Sequence, residues 1–257
     1  MIVKVSYLTN FGNYRKTNED GVLLHDFLVK EKNMFEPGYM VFQDEHLVFC
    51  VADGMGGHVN GELASESVLN FIKENLNEFQ NKKNILKTIH ASKLFLNHIA
   101  VSENAYGLGT TLSGISLLKK KGIIFNSGDS RIYKIQNGVV EKLTVDHSLV
   151  QALYNSGFID EEGMRTHPHK NILTSAIIGD LNTEKPHVFL KEINLSIGMQ
   201  ILLCTDGLWE SLLTEELVSC LENSAPIEDI AIELIELALE KGGKDNISFI
   251  LLQIIDL

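Results

Sequence analysis

Five aspartates stand close to glycine at the ends of apolar strands. Leu47–Ala52 runs straight into Asp53-Gly54, and Gly122–Asn126 leads through Ser127-Gly128 to Asp129. Gln200–Thr205 ends at Asp206-Gly207, while Asp20-Gly21 and Gly243-Lys244-Asp245 occupy strand starts. Asp and Gly are the ordinary residues of turns, and strands end in turns. That reading covers one or two such sites more easily than the same arrangement on strands from opposite ends of the chain. If those ends converge, several carboxylates crowd one edge of the core. Like charges there repel and raise their own pKa values unless cations intervene. Hard oxygen ligands of this kind suit Mg²⁺ or Mn²⁺, whereas Zn²⁺ favours His and Cys. Spacing alone leaves turn and metal site level.

The elements that would position these carboxylates follow from hydrophobic patterning. Strands are expected at Ile2–Leu8, Gly21–Phe27, Tyr39–Phe42, Leu47–Ala52, Thr111–Leu118, Gly122–Asn126, Ile132–Gln136, Val188–Ile193, Ile201–Cys204 and Ile247–Ile254. Several are nearly unbroken Val, Ile, Leu and Phe, the pattern of strands covered on both faces. One helix follows Gly61 and aligns Ala64, Val68, Ile72, Leu76 and Phe79; a second carries Ile85, Ile89, Leu96 and Ile99. A third begins near Ser224 and Pro226 and aligns Ile227, Ala231, Leu234 and Ala238, and a short one follows His147. Two long adjacent helices between strand groups are not a βαβ alternation, so the order reads as α+β layers rather than a doubly wound sheet.

Composition narrows the class. Hydrophobic residues make up 44% and charged residues 22% of 257, ordinary for a globular enzyme. With only four prolines and no repetitive tract to mark a linker, residues 1–257 read as a single domain. A net charge of −12 argues against nucleic-acid or anionic-membrane surfaces; Lys119, Lys120 and Lys121, the only basic run, read as a turn. The N-terminal run with Lys4 lacks a signal peptide's long apolar stretch, and Ile247–Ile255 is far short of the roughly 20 residues that span a bilayer. Cys50, Cys204 and Cys220 have no CxxC spacing and read as buried free thiols of a reducing compartment. The expectation is a cytoplasmic protein.

With those residues in view, the chain resembles the metal-dependent protein phosphatase family (PPM, type 2C), especially its bacterial members. Arg15-Lys16-Thr17-Asn18-Glu19-Asp20 fits the family's Arg-x-x-Asn-x-Asp opening. Asp53-Gly54-Met55-Gly56-Gly57-His58 is followed by Gly61-Glu62-Leu63-Ala64, then Gly107-Leu108-Gly109-Thr110-Thr111 and Gly128-Asp129-Ser130-Arg131. Leu143-Thr144-Val145-Asp146-His147, His167-Pro168 with Leu173-Thr174, Thr205-Asp206-Gly207 and Asp245-Asn246-Ile247-Ser248 complete the order. Each segment is weak evidence, but in order they span residues 15 to 248.

The resemblance implies a four-layer α-β-β-α sandwich, two antiparallel sheets flanked by helices, with metals at one end. It implies that Asp53 bridges two Mn²⁺ or Mg²⁺ ions with help from the Gly54 carbonyl, and that Asp206 and Asp245 supply their remaining protein carboxylates. Asp20 acts through metal-bound water, with Glu19 in a similar supporting place; Asp129 matches a ligand of a third, weaker ion. Arg15 matches the residue that grips the substrate phosphate. The implied reaction is hydrolysis of phosphoserine and phosphothreonine in proteins, by direct attack of a water or hydroxide bridging two ions. A bacterial Ser/Thr kinase as the opposing partner is suggested by analogy with bacterial relatives, and a monomer is the expected state. Met55 stands where animal members have a histidine and cannot donate a proton; metal-bound water is the preferred donor over His58.

Other motifs read as structural. Gly107 to Thr111 is a turn into a strand, since Leu112 takes the third glycine position of a dinucleotide fingerprint. Asp146-His147 starts a helix and braces the site. Asn18 and Asn246 read as supporting or turn residues, and Arg15 has an ion pair near Glu19 as its competing role. Gly157 to Lys170 matches the family's flap, with a role in substrate access. Rival functions are a pseudophosphatase that binds phosphoproteins without turnover, and a metal hydrolase of small phosphate monoesters. Intact Asp20, Asp53, Asp129, Asp206, Asp245 and Arg15 weigh against the former.

Overall fold

The computed structural model describes residues 1–30, 32–55, 59–222 and 225–257. Gly56, Gly57, His58 and the expected helix start at Ser224 lie outside the described residues. In chain order the strands are β1 (Ile2–Asn10), β2 (Gly21–Leu24), β3 (Phe27–Leu28), β4 (Gly38–Gln43), β5 (His46–Ala52), β6 (Gly54–Met55), β7 (Gly109–Thr110), β8 (Leu112–Leu118), β9 (Lys121–Ser127), β10 (Arg131–Gln136), β11 (Val139–Lys142), β12 (Ile177–Ile178), β13 (Phe189–Asn194), β14 (Gln200–Cys204) and β15 (Ile247–Asp256). The helices are α1 (Val59–Glu74), α2 (Lys82–Ser102), α3 (Leu149–Asn155), α4 (Glu161–Thr166), α5 (Asp206–Trp209), α6 (Thr214–Glu222) and α7 (Ile227–Glu240).

Two six-stranded sheets form, ordered β11-β10-β14-β15-β1-β4 and β13-β9-β8-β5-β2-β3, and their ladders are antiparallel. In the second sheet Val22, Leu24, Leu47, Phe49, Val51, Ile115 and Ile124 share a buried cluster with the first sheet. Their neighbours Leu23, Val48, Cys50, Leu112, Ile123 and Phe125 join another cluster with Ala64, Val68 and Ile72 of α1 and Ile85, Ile89 and Leu96 of α2. Successive strand residues face opposite sides, so this sheet is apolar on both faces and is covered on both. The first sheet is covered by Leu217 and Leu221 of α6 and Ile230, Leu234 and Ala238 of α7. Each buried Val, Leu, Ile or Phe side chain contributes about 1.5–3 kcal/mol. The result is the expected α-β-β-α layering.

Register decides where strand ends meet. In the first sheet Arg131 pairs with Cys204 and Cys204 with Phe249, so β10 starts beside the end of β14 and the start of β15. Asp129, Asp206 and Asp245 lie just beyond those residues. In the second sheet Gly21 pairs with Ala52, Val51 with Ser113 and Leu112 with Ser127. That brings Asp20, Asp53 and the Gly128-Asp129 turn to one edge. The β9–β10 connection crosses from one sheet to the other, so Asp129 joins the two edges.

Several expectations need correction. Gly21–Phe27 is not one strand but the hairpin β2–β3, turned at His25-Asp26 with His25 at φ 54°. Lys121 belongs to β9, leaving Lys119 (φ 49°) and Lys120 as the turn. Strand β11, helices α4, α5 and α6 and the small sheet β12-β7-β6 were not foreseen. All are short, and β6, β7 and β12 have two residues each.

Candidate metal centre

Strand β5 is buried along six of its seven positions and delivers Asp53 at its end. The Asp53 backbone is clamped: its N–H donates to Thr111 Oγ1 at 3.0 Å, and its carbonyl accepts from Thr110 Oγ1 at 3.0 Å and from the Thr111 N–H at 2.8 Å. Residues 107–111 thus turn into β8 as expected, and their threonines also fix the central carboxylate. The next position must be glycine. A Cβ on Gly54 would lie 2.1 Å from the Gly61 carbonyl oxygen and 2.5 Å from that of Glu19, both backbone atoms that cannot step aside.

The 15–20 segment is fastened by Asn246 and Asn18. Asn246 Nδ2 donates to the carbonyls of Thr17 (2.9 Å) and Phe11 (3.3 Å), while its Oδ1 accepts from the Glu19 N–H at 2.9 Å. Asn18 bonds Thr9 Oγ1 and the Lys32 carbonyl, both at 2.7 Å, and its Oδ1 accepts from the Asp20 N–H at 3.0 Å. The Asp20 carboxylate is buried and accepts from the Thr205 hydroxyl at 2.9 Å. Arg15 donates to Asp245 Oδ2 at 2.7 Å, so its direct ion-pair partner is Asp245; Glu19, weighed from sequence, adds a longer-range attraction.

Asp206 opens α5, whose Trp209 Nε1–H donates to the Asp129 carbonyl at 3.1 Å. Asp146 holds Arg131, with its closest contact 2.6 Å to Nη2. The neighbouring His147 is bonded to Gly128 twice: its N–H donates to the Gly128 carbonyl at 2.9 Å, and its Nδ1 accepts the Gly128 N–H at 3.2 Å. His147 precedes α3 and its Nε2 lies 3.1 Å from His187 Nδ1.

These groups line one cavity of about 900 Å³, into which Arg15, Glu19, Asp53, Gly54, Met55, Asp129, Asp206, Asp245 and Asn246 all contribute. Asp20 is not part of the lining. The cavity wall is completed by Thr111 and by residues between Asn171 and His187. Residues 157–170, matched to a flap from sequence, contribute nothing to that lining; Arg165 bonds the Leu212 carbonyl at 3.3 Å and Lys170 pairs with Glu210. The 171–187 wall is mostly irregular chain, without the periodicity that marks helices and strands, and sequence reasoning picked out only Leu173-Thr174 from it.

The electrostatics are those of acids forced together. Burial, then Asp206, Asp20, Asp129 and Asp245, push the Asp53 carboxyl well above its ordinary value. Burial, then Asp129 and Asp245, do the same to Asp206. Burial raises Asp20 to about 7 against the opposing hydroxyls of Ser248 and Thr205. Burial and Asp146 raise Asp129 to about 7. Such a set is stable at neutral pH with protons or with cations between its members. Oxygen-only donors of this kind fit Mg²⁺ or Mn²⁺. Among the described residues no three of these side chains surround a single point closely enough to be ligands together. Mg²⁺ is commonly held by one or two carboxylates, with waters and substrate oxygens completing its shell.

The comparisons with known proteins agree with this geometry. The family profile described as Protein phosphatase 2C matches residues 38–248. The serine/threonine phosphatase stp of Listeria innocua is 32% identical over 234 residues, covering 88% of this chain and 91% of that protein. A serine/threonine phosphatase of S. agalactiae superposes with a TM-score of 0.83 at 28% identity, over 98% of this chain and 99% of that one. The catalytic domain of the phosphatase PstP, solved in complex with two manganese ions, superposes at 0.80 with 25% identity over 100% of both chains. Among the described residues no helix is long and apolar enough to cross a membrane. The chain is a member of the protein phosphatase 2C family of serine/threonine phosphatases.

Proposed function

We propose that this chain hydrolyses phosphoserine and phosphothreonine in proteins with Mn²⁺ or Mg²⁺, acting as one domain over residues 1–257. The observation that carries the reading is the meeting of Asp53, Asp129, Asp206 and Asp245 with Arg15 on one cavity. Asp53, with the Gly54 carbonyl, would hold two ions; Asp206 and Asp245 would complete the pair, and Asp129 would serve a third. When bound, such ions activate water and neutralise charge on the transferring phosphoryl group.

The chain's own residues do the rest. Thr110 and Thr111 keep the Asp53 backbone from moving as charge develops. Asn246 holds residues 11–19 so that Arg15 stays at the cavity. Arg15 offers a planar fork to phosphate oxygens, turning from Asp245 to do so; Lys could not reproduce that bidentate grip. Met55 lines the cavity without a proton to give, and water is the preferred donor to the leaving group. The buried thiols Cys50, Cys204 and Cys220 support a reducing, cytoplasmic setting. A cognate Ser/Thr kinase and a monomeric state belong to the same proposal.

The test is phosphate release from a phosphothreonine peptide, in Mn²⁺, in Mg²⁺ and in chelator, with Asp53→Asn alongside. Release is expected in either metal and in neither control. No release in either metal would leave only a binding module. A far higher kcat/KM on a small phosphate monoester would favour a metabolite hydrolase.

A further inference from the structure

Trp209 is the chain's one tryptophan, and it ties the turn that carries Asp129 to the helix that carries Asp206. It closes the short helix that Asp206 opens and donates its indole N–H to the Asp129 carbonyl at 3.1 Å. Its ring face carries the Arg131 guanidinium, with Cζ 3.4 Å from the ring centroid. That guanidinium is clamped in turn by Asp146, whose oxygens lie 3.0 and 3.2 Å from Nε and 2.6 Å from Nη2. The Arg131 and Asp146 side chains are 17% and 5% exposed, so the stack is largely dry and its electrostatics are little screened.

The other fastenings of the Asp129 turn are on its neighbours: Asn126 Nδ2 donates to the Gly128 carbonyl at 3.1 Å, and Ser130 Oγ lies 2.9 Å from Thr111 Oγ1. Gly128 sits at φ 121°, a conformation open chiefly to glycine, and is gripped by His147. Asp53, by contrast, is clamped by two threonines, and Asp245 by its own turn and Arg15. Freedom left in the Asp129 turn would have to be lost whenever its carboxylate engages a cation, and pre-fastening removes that cost.

We propose that Trp209 is a positioning residue for Asp129, its indole bond and Arg131 stack setting the affinity of the cation site to which Asp129 contributes. This rests on the reading of Asp129 as a ligand of a third, weaker ion. The two ions assigned to Asp53, Asp206 and Asp245 do not depend on the bond.

The experiment is a double-mutant cycle of wild type, W209F, D129N and the double variant, read by Mn²⁺ calorimetry and Mn²⁺ electron paramagnetic resonance. Phe keeps an aromatic face beneath Arg131 and removes the N–H. W209F is expected to weaken the weakest Mn²⁺ step about fivefold, the size of one lost hydrogen bond, and to leave the tighter steps unchanged. In the D129N background W209F should have no further effect. Equal weakening of every step, or an effect that persists in D129N, would show a merely structural role and overturn the proposal. Should W209F not fold, R131K takes its place in the cycle with the same expectation. If D129N itself binds Mn²⁺ like wild type, the ligand reading of Asp129 fails and takes this proposal with it. If D129N is weak while W209F is normal, only the role of Trp209 is lost.

Discussion

A carboxylate buried among carboxylates weakens the fold that holds it. Asp53 feels four other aspartates through a poorly solvated interior, so in chelator Asp53→Asn removes a repulsion while keeping the shape. The variant should melt about 2–4 °C higher than wild type in EDTA, as expected for about 1 kcal/mol in a chain of this size. It should also lose metal-dependent turnover, a trade of function for stability. A lower melting temperature in EDTA would contradict the crowding argument. Arg15 is a different case. Its pair with Asp245 is half-exposed, with side chains 54% and 37% accessible, and such pairs contribute about 0–1 kcal/mol. The guanidinium is thus free to leave Asp245 for a phosphate at little cost. Arg15→Ala should raise KM for a phosphopeptide roughly tenfold, one lost charge-assisted contact, with Mn²⁺ uptake intact by calorimetry. Loss of metal binding in that variant would place Arg15 in the metal site instead.

At the scale of elements, the turn that follows one strand fixes the end of another. Thr111 lies between β7 and β8, accepts the Asp53 N–H and lies 2.9 Å from Ser130 Oγ. Thr111→Val keeps the volume and leaves a buried donor without its acceptor, a loss of about 1–3 kcal/mol in stability with a fall in kcat. Thr111→Ser should restore both; failure of that rescue would mean the methyl group, not the hydroxyl, matters. His147 adds an acid-side pH dependence at the β9–β10 edge, opposite in sign to that of the raised Asp129 carboxyl. Burial, then His187, lowers its pKa from 6.5 to about 4 against the pull of Asp146. Between those values the unfolded chain binds the proton and the folded chain does not, so stability is lost as pH falls through that window. The ring is partly exposed, so about 1 kcal/mol is expected. Replacing it in His147→Gln should remove that acid sensitivity: the stability difference between wild type and variant, from urea midpoints, should shrink from pH 7 to pH 4.5. A pH-independent difference would show that His147 acts only through its shape.

The whole molecule explains what could be read in advance. Apolar strands and long helices write their own periodicity, so β5, β8, β9, β14, β15, α1, α2 and α7 were legible, and with them the aspartates at strand ends. The fastenings were not, because they join residues remote in sequence: Arg15 to Asp245, Asn246 to Thr17, Trp209 to Asp129. The wall from Asn171 to His187 carries no periodic signal, and α5 is four residues long. Because the carboxylates come from strands at both ends of the chain and from both sheets, only the folded state can present them together. Cations that bind the native state and not the unfolded one must stabilise it by mass action, by about 2.7 kcal/mol at a hundred times Kd. For a chain of this size that is a rise in Tm of roughly 5–10 °C. Thermal scans over a Mn²⁺ titration should show that rise in wild type, most of it in Arg15→Ala, and little in Asp53→Asn. The shift should grow with the logarithm of free Mn²⁺ above Kd rather than saturate. An equal rise in Asp53→Asn would mean that the ions stabilise the chain somewhere other than between these aspartates.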